Sequence, residues 1–319
     1  MTLTGAVAVI YGPTASGKSD VAVALAEQLN GIVINADSLQ IYAELSILTA
    51  RPDEAAMARA PHRLFGVLPA MQACSAAWWR DAALAEIGAA HTAGKFPILV
   101  GGTGLYLKTL IEGLSPVPTA DPEARAKATA LYEALGGDAF RSRLAERDPV
   151  IAERLKPGDR QRLIRAWEVM EATGIPLSQW QALPKAPGHS LDFSLIGLMP
   201  PRDRLYARID ARFLTMLERG ALAEAARFEA LGLPASLPAN KALGLPELRR
   251  HLEGEIDLAE ATRSAQRMSR NYAKRQVTWF RHQMPCDKKS GGRHIRHAEF
   301  EELSERNLAE IIPIILPAG

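Results

Sequence analysis

Eight residues, Gly12-Pro13-Thr14-Ala15-Ser16-Gly17-Lys18-Ser19, fit the spacing G-x-x-x-x-G-K-[ST]. The chemistry of that spacing is phosphate binding. Main-chain N–H groups of such a loop, and of the helical turn after it, converge on phosphate oxygens with help from the positive helix end. Lys18 is placed to neutralise the distal charge, and Ser19 to hold a Mg2+ ion bridging the same phosphates. A bare turn between core elements needs neither the lysine nor the crowded pair Gly17 and Ser19. The loop accepts a di- or triphosphate, ATP among them, without naming the molecule that carries it.

A second group is Asp37 with Ser38, Leu39 and Gln40. P-loop nucleotidases commonly set an acid at the end of a later apolar strand, yet here residues 98–100 run into Gly101-Gly102-Thr103-Gly104 without a carboxylate. Asp37 is the nearest suitable acid. It is open to three roles: general base, metal partner, or cap of a short helix. Gln40 has the two-point geometry that reads an adenine edge, and is otherwise an ordinary surface glutamine. The three glycines of 101–104 permit a ligand to approach the main chain, and Thr103 adds a hydroxyl for an amine or a phosphate oxygen. A purely structural turn is the alternative.

Such residues need strands that end together. Ala6–Tyr11 is a short β-branched apolar run, the phosphate loop follows it, and residues 20–29 carry a helical pattern. Strand, loop and helix in that order open an α/β domain with a parallel sheet. A strand at 32–35 delivers Asp37 to the same carboxyl edge as the loop. Ala76–Thr92 reads as an amphipathic helix feeding the strand at 97–100, and a helix restarts at 105–110. Residues 123–173 are helix-like, broken at Asp148-Pro149 and at Lys156-Pro157-Gly158-Asp159. A strand returns at 193–198, so residues 119–190 read as a helical insertion between core parts 1–118 and 191–319. Residues 288–293 read as a mobile loop.

Composition narrows the class. The chain has 319 residues, of which 47% are hydrophobic and 23% charged, as in a globular protein rather than a disordered one. A net charge of +2 is too mild to establish nucleic-acid binding, but residues 263–296 hold ten Lys or Arg against one acid, Asp287. Arg263, Arg267, Arg270 and Lys274 share one helical face, suited to an RNA phosphate track or to solvent, with Met268, Tyr272 and Trp279 toward the core. Cys74 and Cys286 lack metal-ligand spacing, which argues against zinc or a disulfide scaffold. The phosphate loop begins too early for a removable leader, and no apolar run approaches the roughly 20 residues needed to span a bilayer. The cytoplasm is the expected address.

The chain closely resembles the tRNA dimethylallyltransferase, or isopentenyl transferase, family. The resemblance is carried by the phosphate loop, by Asn35-Ala36-Asp37-Ser38-Leu39-Gln40-Ile41-Tyr42 and by Gly101-Gly102-Thr103-Gly104-Leu105-Tyr106. It continues through Asp159-Arg160-Gln161-Arg162 to Arg165, and through Ala273-Lys274-Arg275-Gln276 before Trp279. It implies an α/β fold: a P-loop NTPase-like parallel sheet with flanking helices and an inserted small all-helical domain. The implied reaction moves a dimethylallyl group from dimethylallyl diphosphate to N6 of adenosine 37 in tRNAs reading codons that begin with U. Mg2+ is the implied cofactor and tRNA the partner; a monomer is the default expectation.

By this resemblance Asp37 is the general base, Thr103 lies near the acceptor amine, and Lys18 and Ser19 serve the diphosphate and Mg2+. Arg208 and Arg212 face the diphosphate. The implied tRNA contacts are Asp37, Ser38, Leu39, Gln40, Thr103, Arg125, Gln161, Arg162, Leu163, Ile164 and Arg165, to which the basic face adds Arg263, Arg267, Arg270 and Lys274. Leu48 departs from the family's common Gly-Thr-Ala-Lys-Pro segment, and Leu245 from its Gly-Tyr pair. Two other classes compete: a P-loop kinase, which transfers phosphate from ATP, and a nonenzymatic RNA-binding protein, which yields no covalent product.

Overall fold

Alternating side chains along short apolar runs build a sheet with two buried faces. The computed structural model describes residues 5–119, 121–185, 188–284, 288–290, 293–302 and 305–316. Its strands are β1 (Ala6–Tyr11), β2 (Gly31–Asn35), β3 (His62–Arg63), β4 (Phe96–Gly101), β5 (Asp192–Leu198), β6 (Lys288–Ser290) and β7 (Arg293–Phe300). They lie in the order β3-β2-β4-β1-β5-β7-β6, parallel except for β6, which pairs antiparallel with β7.

The helices are α1 (Lys18–Gln28), α2 (Glu54–Arg59), α3 (Ala76–Thr92), α4 (Gly104–Glu112), α5 (Pro122–Ala145), α6 (Pro149–Arg154) and α7 (Arg160–Thr173). They continue as α8 (Leu177–Ala182), α9 (Arg202–Glu218), α10 (Ala221–Glu229), α11 (Leu245–Leu252), α12 (Leu258–Gln283) and α13 (Ile312–Ile315). Along β1, Val7, Val9 and Tyr11 join the core formed with α3, α4 and α12, while Ala8 and Ile10 join the core formed with α1 and α13. Burial on both faces explains why these strands read as nearly continuous apolar runs. Among the described residues no helix is long and apolar enough to cross a membrane.

Two compact units result. Met1–Ile111 with His189–Gly319 form the sheet unit, and Glu112–Gly188 form a helical unit. The first seam precedes the expected residue 119 because the proline-rich stretch after α4 packs on the helices. Val117 lies against their core, and the Pro118 carbonyl accepts a hydrogen bond from Arg165 at 2.6 Å. Within this unit Phe140, Leu144, Leu163, Ala166 and Val169 are buried together.

The expectation of a loop at 288–293 is corrected: residues 288–290 and 293 lie in β6 and β7, while 291 and 292 fall outside the described residues. The outer edge of β5 supplies the reason. It pairs with β7 from Phe193↔Ile295 to Leu198↔Phe300, a register that a polar sequence such as 293–300 does not announce. Cys286 also lies outside the described residues.

Candidate active site

The phosphate loop leaves β1 and enters α1 through Gly17, whose φ of 90° is a left-handed conformation that favours glycine. Lys18 folds back so that its Nζ donates to the Pro13 carbonyl at 3.1 Å. The Ser16 hydroxyl is buried beneath the loop and has no hydrogen-bond partner among the described residues, a group that a ligand or water would satisfy. From α12, Gln276 fixes the loop from behind. Its Oε1 accepts from the Thr14 N–H at 2.8 Å, and its Nε2 donates to the Gly102 carbonyl at 2.9 Å. Sequence reasoning missed Gln276 as a site residue. A glutamine on the otherwise small and apolar stripe Ala261, Ala265, Ser269, Ala273 and Phe280 was the available signal.

Asp37 stands just beyond β2. Its N–H donates to Asn35 Oδ1 at 2.8 Å, and its own Oδ1 accepts from the Leu39 N–H at 2.9 Å, so the residue caps its own turn. Thr103 secures that turn: its hydroxyl accepts from the Ser38 N–H at 2.9 Å and donates to Ser38 Oγ at 3.2 Å. The glycines around it face protein rather than a ligand. A Cβ on Gly101 would stand 2.1 Å from the Ala36 carbonyl oxygen, one on Gly102 2.3 Å from Gln276, and one on Gly104 2.2 Å from the Trp279 ring. The adenine-reading geometry of Gln40 is likewise corrected, because its amide donates to the Thr49 and Ala50 carbonyls, both at 2.9 Å.

Two cavities open onto these residues. The larger, about 640 Å3, is lined by 14–20, Asp37, Gln40, Thr49, Ala50, Arg208, Arg212 and Glu302. The smaller, about 40 Å3, has apolar walls from Leu39, Leu48, Ile209, Phe213, Met216 and Leu243. Thr14, Asp37, Thr49 and Arg212 line both. Arg212 reaches the loop through a hydrogen bond from Nη2 to Thr14 Oγ1, while Arg208 pairs with Glu302. Leu39 is half-buried and forms a wall of the smaller cavity.

Charge in this site is held against its own desolvation. Burial lowers the Lys18 pKa to about 8; Asp37 opposes the shift and Arg212 adds to it. Burial also lowers Arg212, again opposed by Asp37, and raises the Tyr272 phenol beside the smaller cavity. Two half-buried, desolvated cations beside the one carboxylate of Asp37 make a receptor for an anion. Ser19 is exposed on the first turn of α1 and lines the larger cavity. Among the described residues no group of three or more His, Cys, Asp or Glu could hold a metal ion.

The remaining expected RNA contacts divide. Gln161 and Arg162 are exposed on α7, but Leu163 and Ile164 are buried in the helical unit, which corrects their placement as RNA contacts. Arg125 and Arg165 both pair with the fully buried Glu168. On α12, Arg263, Arg267 and Lys274 are exposed, with Arg263 also paired to Glu260. Arg270 instead pairs with Asp210 of α9 at 2.5 Å, and Met268 points outward at 40% exposure rather than into the core.

Residues 40–283 match the family described as IPP transferase, and residues 5–65 match one described as isopentenyl transferase. A tRNA dimethylallyltransferase of Rhodospirillum centenum is 56% identical over 89% of this chain and 91% of its own. The full-length tRNA isopentenylpyrophosphate transferase of Bacillus halodurans superposes with a TM-score of 0.66 at 32% identity, covering 98% of this chain and 96% of that one. A eukaryotic dimethylallyltransferase captured acting on tRNA gives a TM-score of 0.73 at 28% identity, over 86% and 69% of the two chains.

Proposed function

The chain belongs to the IPP transferase family, and from that premise we propose that it transfers a dimethylallyl group from dimethylallyl diphosphate to N6 of adenosine 37 in the anticodon loop of tRNAs reading codons that begin with U. The observation that carries this reading is the meeting, at Asp37 and Arg212, of the phosphate-loop cleft holding Lys18 and a small cavity with largely apolar walls. An allylic diphosphate has that division: a charged end for Lys18, Arg208, Arg212 and the loop N–H groups, and a branched hydrocarbon end for the apolar walls. Its reacting carbon lies where the two ends join.

In the transfer the bond from the allylic carbon to diphosphate oxygen breaks as N6 forms its bond to that carbon. Negative charge grows on the departing diphosphate, where preorganised N–H groups, Lys18 and Arg212 stabilise it most. The Asp37 carboxylate takes the N6 proton, and the Leu39 N–H bond to Oδ1 fixes its orientation. Thr103 acts by holding the Ser38 turn. The Ser19 hydroxyl is a hard oxygen donor that would hold Mg2+, and the ion would supply further neutralisation of the leaving group.

An adenine in a loop is unstacked more easily than one in a duplex, which suits delivery of a single base to Asp37. Arg267 and Lys274 on α12, with Gln161 and Arg162 on α7, are the exposed groups we assign to RNA. A monomer working in the cytoplasm fits this scheme. The test is incubation with Mg2+, labelled dimethylallyl diphosphate and unmodified tRNA, followed by nucleoside analysis. Label on N6 of adenosine supports the reading; phosphate transfer from ATP without prenylation would replace it by a kinase.

A further inference from the structure

We propose that Met216 is the partition that limits the transferred chain to one isoprene unit, an inference that rests on assigning the smaller cavity to the prenyl group. Arg212 and Met216 lie four residues apart on α9 and so share a helical face. Both line the cavity of about 40 Å3. Both also line a neighbouring cavity of about 410 Å3, bounded further by Ile47, Arg51, Thr215 and Arg219. Free space therefore continues behind the Met216 side chain, which is itself only 7% exposed.

Two other walls of the smaller cavity are closely backed. Phe213 and Leu48 are backed by main chain: a Cβ on Gly244 would stand 2.5 Å from the Phe213 ring and 3.4 Å from Leu48. The segment carrying Leu48 is pinned by the buried Glu224. That carboxylate accepts from the N–H groups of Ser46 at 2.8 Å, Ile47 at 2.9 Å and Leu48 at 2.8 Å. Moving the Leu48 segment outward would break those bonds. Met216, with free space behind it, yields more easily.

Size agrees with that limit. A cavity of about 40 Å3 admits about three water-sized groups, nearer to five branched carbons than to ten. Arg212 cannot serve as the partition in a test because it binds the diphosphate. Met216 carries no group that binds a diphosphate or moves a proton, and its unbranched thioether fills irregular gaps of this kind.

The experiment measures kcat/KM with tRNA for dimethylallyl diphosphate and for the two-unit allylic donor geranyl diphosphate. We expect the natural protein to prefer the shorter donor by about 100-fold or more, the scale at which a pocket rejects added carbons. Met216→Ala should reduce that preference at least about tenfold, through a rise in use of the longer donor. A merely structural defect would lower both rates together and leave their ratio unchanged.

Met216→Phe should do the reverse, weakening use of the shorter donor while inhibition by inorganic pyrophosphate stays as before. Thermal melts verify folding of each variant, and Met216→Val provides a smaller opening with the same ratio readout should the alanine variant not fold. A folded, active Met216→Ala or Met216→Val protein with an unchanged ratio overturns the partition alone. Absence of any prenyl transfer by the natural protein overturns the parent reading, and this one with it.

Discussion

Burial lowers the pKa of Lys18 to about 8, yet a diphosphate must be met by its charged form. About nine-tenths of the free enzyme then carries that charge at pH 7, and about one-tenth at pH 9. At saturating tRNA, kcat/KM for dimethylallyl diphosphate should therefore fall about tenfold per pH unit above 8, since this parameter reports the free enzyme. The sign follows from the causes: desolvation disfavours the ammonium more than Asp37 restores it, and Arg212 pushes the same way as desolvation. A bound diphosphate ester, a trianion at this pH, reverses the balance. Binding should accordingly take up close to one proton at pH 9 and about a tenth of one at pH 7. Calorimetry in two buffers of different ionisation enthalpy counts those protons, and initial rates across pH 6 to 10 give the kinetic limb. Because the folded pKa lies below the ordinary lysine value of 10.5, the charged lysine costs folding stability below pH 8, and that cost is relieved as pH rises between the two values. A kcat/KM that stays flat to pH 10, with no proton uptake at pH 9, refutes a Lys18 desolvated to a pKa near 8.

Asp37→Asn should slow single-turnover prenylation by about 10² to 10⁴-fold with much less effect on tRNA binding; a near-normal single-turnover rate rejects the base. Glu168→Gln leaves Arg125 and Arg165 without their buried counter-charge. Partial hydration of both arginines trims the usual penalty, so the helical unit should lose about 2 to 3 kcal/mol in urea unfolding, and an unchanged midpoint denies the pairing a structural role. Arg267→Gln with Lys274→Gln should lower the slope of log tRNA affinity against log salt by about 0.7 for each lost phosphate contact, while an unaltered slope assigns this face to solvent.

What the sequence disclosed was local. The phosphate loop and its flanking strand and helix, the span Ala76–Thr92, and the breaks at Asp148-Pro149 and Lys156-Pro157 follow from turn chemistry and periodicity within a few residues. What it concealed were pairings across the chain. Nothing near Arg270 announces Asp210, sixty positions earlier, and nothing near Gln40 announces that the Thr49 and Ala50 carbonyls consume its donors. A basic helical face looks alike whether its arginines await phosphate or already hold a carboxylate. Strand β7 stayed hidden because its residues are mostly polar, and its pairing with β5 carries no hydrophobic period.

The desolvated cations bear on how the chemical step must be observed. Lys18 and Arg212 are both desolvated and share Asp37 as their opposing charge, so the site without an anion carries an unfavourable term that any diphosphate relieves. The relief does not end with bond cleavage. Free pyrophosphate carries more negative charge than the esterified diphosphate, so the groups that stabilise the leaving group hold the product at least as firmly as the substrate. Steady-state turnover can then be governed by release of pyrophosphate, as it is in many enzymes whose chemistry is fast. In that regime a defect in proton transfer at Asp37 is masked until it becomes slower than release. The loss in Asp37→Asn is therefore to be read in a single turnover, where the N6–carbon bond forms before product departure enters the rate.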